Sequence, residues 1–126
     1  MKLARICRDT RGTSVVEFGL TAPVFVMLMM GVLEVGLLMW TQVGLQHGAE
    51  FAARCASINA TLCGSASAIQ SYAAQQAFGL NPPSSVFTVS TPACGNQVSA
   101  SYPYQFFTSY FGVPTLTLTA RSCFPK

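Results

Sequence analysis

Charge is scarce in this sequence. Its 126 residues include 7 Lys or Arg, 4 Asp or Glu and 1 His, so 9% are charged against 51% hydrophobic. One histidine and four acids leave no acid–base or nucleophile set, and no Gly-x-Ser-x-Gly, His-Glu-x-x-His or glycine-rich phosphate loop occurs. Neither an enzyme nor a cofactor is therefore expected. A zinc centre is disfavoured on similar grounds: no Cys-x-x-Cys is present, and His47 has no second histidine to join it. A nucleic-acid binder would carry a basic face on its folded part. Here Lys2, Arg5, Arg8 and Arg11 all precede the one long apolar run, and only Arg54, Arg121 and Lys126 follow it.

That apolar run is the main positive feature. Phe18 to Leu33 carries no charge, Glu34 interrupts, and Val35 to Ala49 is again uncharged. A bilayer core of ~30 Å needs about 20 helical residues, so the stretch is long enough to span it, with the membrane segment at about 18–41. Four cations before the run and none just after it orient the N-terminus towards the cytoplasm. Trp40 stands where an interfacial aromatic anchor belongs. A cleaved secretory signal is the competing reading. The run is too long for one, Glu17 and Glu34 interrupt it, and no small-x-small site clearly closes it.

The chain therefore divides into a cytoplasmic basic leader (1–12), a long helix (13–58) that is apolar first and amphipathic later, and a small exported domain (59–126). Pro23 should kink the helix near its start. Ser65 to Phe78 reads as a short helix capped by Ser65 and ended by Gly79, and Asn81-Pro82-Pro83 as an extended turn. Val86 to Thr91, then Val98 to Tyr104, then Leu116 to Arg121 alternate with the period of strands. The expected fold class is α+β: a long N-terminal helix and a short one packed on a three-stranded antiparallel meander. Cys7 falls in the leader, whereas Cys55, Cys63, Cys94 and Cys123 all lie beyond the membrane. Four thiols in a small exported domain argue for two disulfides. In a meander the third strand ends beside the turn that follows the first, which carries Cys94, and Cys123 directly follows the third strand. Cys94–Cys123 is the expected pair, leaving Cys55–Cys63 to close a local loop.

At the start of the apolar run stands Arg11-Gly12-Thr13-Ser14-Val15-Val16-Glu17-Phe18. A basic leader ending in Gly, with Glu as the fifth residue after it, looks like the site of a type IV prepilin peptidase. Cutting after Gly12 leaves a positive amine on Thr13, with Glu17 one turn into the helix. A lone carboxylate among packed apolar helices is expensive, so an amine from a neighbouring subunit would neutralise it and set the axial register. The wider pattern, Val16-Glu17-Phe18 with Pro23, then Glu34-Val35-Gly36, then Ala49-Glu50-Phe51-Ala52-Ala53-Arg54, resembles the TadE-like family, the pseudopilins of the tight-adherence (Tad, or Flp-type) pilus machinery. The likeness covers residues 11 to 58, and beyond them the general plan is similar, so a pilin-like fold is implied. The departure is Phe51 inside the Ala-rich element.

The resemblance implies a minor pilin or pseudopilin in a bacterial inner membrane, taking part in assembly of an adhesive pilus. Gly12 and Thr13 would flank the cleavage, Glu17 and Phe18 would serve assembly, and the partners would be the prepilin peptidase, other pilins and the Tad secretion machinery. A major pilin subunit is disfavoured, because Flp-type major pilins are much shorter and lack such a domain. The alternative is an unprocessed, membrane-anchored binding domain. Glu34 carries two readings: it meets a partner helix, or it is solvated near the outer interface. Gly19, Gly31 and Gly36 would let another helix approach closely. Phe106, Phe107, Tyr110 and Phe111 read as cover for the sheet before they read as an adhesive patch, and His47 as an interfacial residue.

Overall fold

A long helix, α1 (Thr13–Ile58), opens the described part of the chain. In the computed structural model the described residues are 13–107, 112 and 114–126. The basic leader, including Cys7 and Gly12, lies outside them, as do Tyr110 and Phe111. The chain divides into two compact units, the first ending at Val35 and the second beginning at Gly36.

In the first unit α1 is apolar on every side. Val15, Val16, Phe18, Leu20, Val24, Phe25 and Met27 are all exposed, as are Leu28, Val32 and Leu33. A helix that is hydrophobic all round needs an apolar surrounding on every face. Among the described residues this is the one helix long and apolar enough to cross a membrane. The helix assignment continues through Pro23. The proline withdraws the amide that the Gly19 carbonyl would use. Two residues earlier, the Thr21 hydroxyl donates to the Glu17 carbonyl at 3.0 Å.

From Gly36 onward α1 becomes one-sided. Thr41, Gly44, Leu45, Gly48, Ala49, Ala52, Ala53 and Cys55 are buried, at three- and four-residue steps that align on a single face. Buried Thr41 satisfies its hydroxyl by donating to the Leu37 carbonyl at 2.8 Å. The small residues bring neighbouring backbone close. A Cβ built on Gly48 would stand 2.6 Å from the Ala73 carbonyl oxygen, and one on Gly44 2.6 Å from a Leu80 methyl. Those neighbours belong to α2 (Ala66–Gln75) and to the turn that follows it. Ser65 caps α2, its hydroxyl accepting from the Ala68 amide at 3.3 Å. The helix ends at Gln75, short of the expected Phe78, because the backbone turns left-handed at Phe78 and Gly79.

A 3-10 turn (Ser84–Val86) leads into three strands: β1 (Phe87–Ser90), β2 (Asn96–Tyr104) and β3 (Leu116–Phe124). They form an antiparallel meander in sequence order, with Phe87 opposite Ala100, and Ala100 opposite Ala120. Phe87, Val98, Ala100, Leu118 and Ala120 are buried in one core with Leu45, Ala49, Ile69 and Ala73. Leu116, expected on the apolar side, is exposed at the strand's start.

The outer edge of β3 is tied to α1 by two glutamines. Gln42 donates to the Thr119 carbonyl at 2.9 Å, and Gln46 to the Arg121 carbonyl at 3.2 Å. Four helical residues rise about 6 Å, and two strand residues about 6.8 Å. Glutamines four apart therefore serve carbonyls two apart. On the other edge, Gln70 of α2 donates to the Phe87 carbonyl at 2.8 Å. Unpaired strand edges invite association, and side-chain amides from both helices blunt these.

Candidate functional site

The residues that sequence reasoning assigns to assembly sit at the start of α1. Thr13 is the first residue of the helix, so Glu17 lies one turn in and on the same face. Its neighbours Val15, Val16, Phe18 and Leu20 are all exposed and apolar, and Glu17 itself is exposed. The site is thus one carboxylate in an apolar girdle. Gly12, the other half of the expected cleavage site, lies outside the described residues. Glu34, near the end of the first unit, is half-buried, where its neighbours Leu33 and Val35 are exposed. Gly31 leaves a shallow apolar notch lined by Met27, Leu28, Val32 and Val35. Among the described residues, an added Cβ on Gly19, Gly31 or Gly36 would meet nothing within 4 Å.

The cysteines are placed apart from these residues in sequence and serve the second unit. Cys55 is bonded to Cys63, with Cα atoms 5.8 Å apart, and Cys94 to Cys123, at 6.3 Å. These are the pairs that the meander argument selects, with one correction. Cys123 lies inside β3 and not after it, because β2 begins at Asn96 and keeps a partner for the chain as far as Phe124. Asn59 shapes the loop inside the first bridge, its side-chain oxygen accepting from the Leu62 amide at 3.1 Å. Gly95, in the turn next to Cys94, has φ +123°, and an added Cβ would overlap the Phe124 carbonyl. Asn96 then donates to the Ala56 carbonyl at 3.1 Å, fastening the start of β2 to the end of α1. Among the described residues no three of His, Cys, Asp and Glu converge as a metal site would require.

A family model described as TadE-like protein matches residues 12–54. Over this segment the chain is similar to that family. The match begins at Gly12 and ends at Arg54, and so takes in Glu17, Phe18, Pro23, Glu34, Gly36 and Arg54. It leaves out α2, the sheet and all four bonded cysteines. No curated protein and no solved structure matches the chain. The TadE-like segment therefore contains the whole apolar stretch and most of the small-residue face that anchors the second unit's core.

Three features of the second unit were not anticipated from sequence. The edge-capping role of Gln42 and Gln46 needs knowledge of which strand lies beside α1. Gly44 and Gly48 are four apart on the buried face, a spacing readable in retrospect as a seat for α2. The third is an aromatic group. Phe51, the departure in the Ala-rich element, stays out of the core and stacks on His47 at 4.2 Å, while Phe78 lies against the same imidazole at 4.0 Å. His47 Nδ1 lies 3.0 Å from the Gln76 carbonyl. In the last loop, Phe106 meets Tyr104 edge-on at 5.2 Å and Phe107 is exposed.

Proposed function

We propose that this chain is a structural subunit, not an enzyme: a pseudopilin of the tight-adherence pilus system that takes part in pilus assembly at the inner membrane. The observation that carries this reading is the TadE-like match starting at Gly12, on a helix that presents apolar side chains on all faces and a single carboxylate near its start. Such a helix fits a single-pass anchor. The leader's cations favour a cytoplasmic N-terminus and an exported second unit, and two disulfides suit an oxidising compartment.

In this reading a prepilin peptidase cuts after Gly12, and Thr13 becomes the N-terminal residue with a free ammonium group. The carboxylate of Glu17 lies one turn further on, so within a single subunit the helical backbone separates the two groups along the axis. A neighbouring subunit shifted by about one turn presents its ammonium group at the level of Glu17. The pairing removes the cost of an uncompensated charge among packed helices. Register then follows from electrostatics, and apolar contacts supply affinity without direction. Glu34 offers a second polar level in the same stack.

Substituting Glu17 by Gln or Ala tests this directly. The variants are expected to insert in the membrane and form both disulfides, yet to be lost from cross-linked or sheared pilus assemblies. Normal assembly without the carboxylate would contradict the proposal and leave an anchored binding domain as the better account.

A further inference from the structure

Phe78 is out of place by ordinary folding criteria. The Leu80 amide donates to the Ala77 carbonyl at 3.1 Å, closing a turn whose two central residues are Phe78 and Gly79. Both have positive φ, +42° and +74°. Turns with two positive φ angles favour Asn or Gly at the first position, and a bulky L residue rarely adopts that backbone. The core does not account for it: the ring remains 49% exposed. The ends of the turn are held firmly, Ala77 fully buried and Leu80 seated over Gly44. A tight turn on a fixed base thus holds a phenyl ring outward, and a strained, fixed and exposed side chain points to a use outside the fold.

Its surroundings indicate what covers it. The Trp40 ring is 6.5 Å away and 60% exposed. Around Trp40 on α1, Leu37, Met39 and Val43 are exposed too, and no charged residue occurs between Glu34 and Glu50. This surface lies on the second unit, on the residues of α1 that follow the apolar run directly in sequence. Beyond Phe78 comes the His47 imidazole, about 10 Å further along the helix axis than Trp40, with Phe51 stacked on its other side. The headgroup layer on each side of a bilayer core is about 5–7 Å deep. Trp40 and His47 thus stand apart by a distance on the order of that layer's depth, with Phe78 in contact with both, and aromatic residues collect at that boundary.

We propose that Phe78 is a second membrane anchor, contributed by the exported domain itself, which enters the outer-leaflet interface beside Trp40 and fixes how the domain stands on the bilayer. The occupant of the patch is phospholipid at the acyl–headgroup boundary. The inference rests on the membrane-anchored part of the proposed function and is independent of cleavage at Gly12.

Trp40 is the only tryptophan, which makes the test direct. The full chain is reconstituted in phosphatidylcholine vesicles, as wild type and as the Trp40→Phe/Phe78→Trp double variant. Emission and quenching by lipids brominated at successive acyl positions are then read. The indole placed at position 78 is expected to emit to the blue of a water-exposed indole. It should be quenched most by the shallowest bromines, to an extent similar to wild-type Trp40. Both disulfides, checked by mass, report that the variant is folded. If Trp40 is quenched while the indole at 78 emits as in water and is not quenched, the proposal is overturned and the patch faces another protein. If neither is quenched, the membrane-anchored reading fails and takes this proposal with it.

Discussion

The glycines of α1 behave differently in its two parts. Nothing would meet an added Cβ within 4 Å at Gly19, Gly31 or Gly36, whereas at Gly44 and Gly48 a Cβ would press on Leu80 and on the Ala73 carbonyl at 2.6 Å. A glycine inside a helix costs about 1 kcal/mol relative to alanine. At Gly44 and Gly48 the chain recovers this by seating α2 and its following turn against α1. At the other three, nothing among the described residues does so. The difference teaches that the later part of α1 is shaped by the protein's own core, and the earlier part by whatever surrounds it. The exposed Val, Leu, Met and Phe side chains before Gly36 make the same point: on a helix apolar on every face they call for lipid or other helices around them.

The largest effect is expected on removing the bridge that closes the sheet. Cys94→Ser/Cys123→Ser opens a loop of sequence separation 29 and should lower the stability of the second unit by about 3.5 kcal/mol in denaturant titration, on the loop-entropy estimate. Insertion of the apolar segment should be unchanged. Opening the shorter Cys55–Cys63 loop should cost less, about 2.5 kcal/mol.

Next in size is Gly48→Ala. Its methyl meets a backbone carbonyl that cannot move without shifting α2, so a loss of about 1–3 kcal/mol is expected. Gly31→Ala should instead leave the domain's unfolding midpoint unchanged. A domain destabilised equally by both would break the distinction between the two parts of α1. The smallest effect belongs to Gln42→Ala/Gln46→Ala. Water can replace both bonds, so about 0.5 kcal/mol for each is expected. The clearer readout is concentration-dependent association of the exposed β3 edge, measured by light scattering.

How far the sequence reaches follows from the range of each signal. The helix from residue 13, the cap at Ser65 and the alternation at Val98, Ala100 and Tyr102 are local patterns, and the structure follows them closely. The cysteine pairs were readable because a meander fixes which strand ends are neighbours. Cys123 inside β3 was not, since strand length depends on Asn96 facing Phe124 across the ladder. Gln42 and Gln46 act on carbonyls more than 70 residues away, and no local pattern marks such a pairing. Phe78 before Gly79 resembles an ordinary helix end. Only its positive φ and its place beside Trp40 set it apart. At the start of α1 the position is reversed. Glu17, Phe18 and Pro23 were singled out by the basic leader before them and by their resemblance to the TadE-like pattern; the roles proposed for them concern other molecules, so the chain's own packing adds little.

The central claim is that this chain is processed and assembled as a pseudopilin. The most direct measurement is the intact mass and N-terminal sequence of the protein taken from membranes with and without an active prepilin peptidase. A mature chain beginning at Thr13 is expected only when the peptidase is present. A chain that still begins at Met1 beside an active peptidase would contradict that claim.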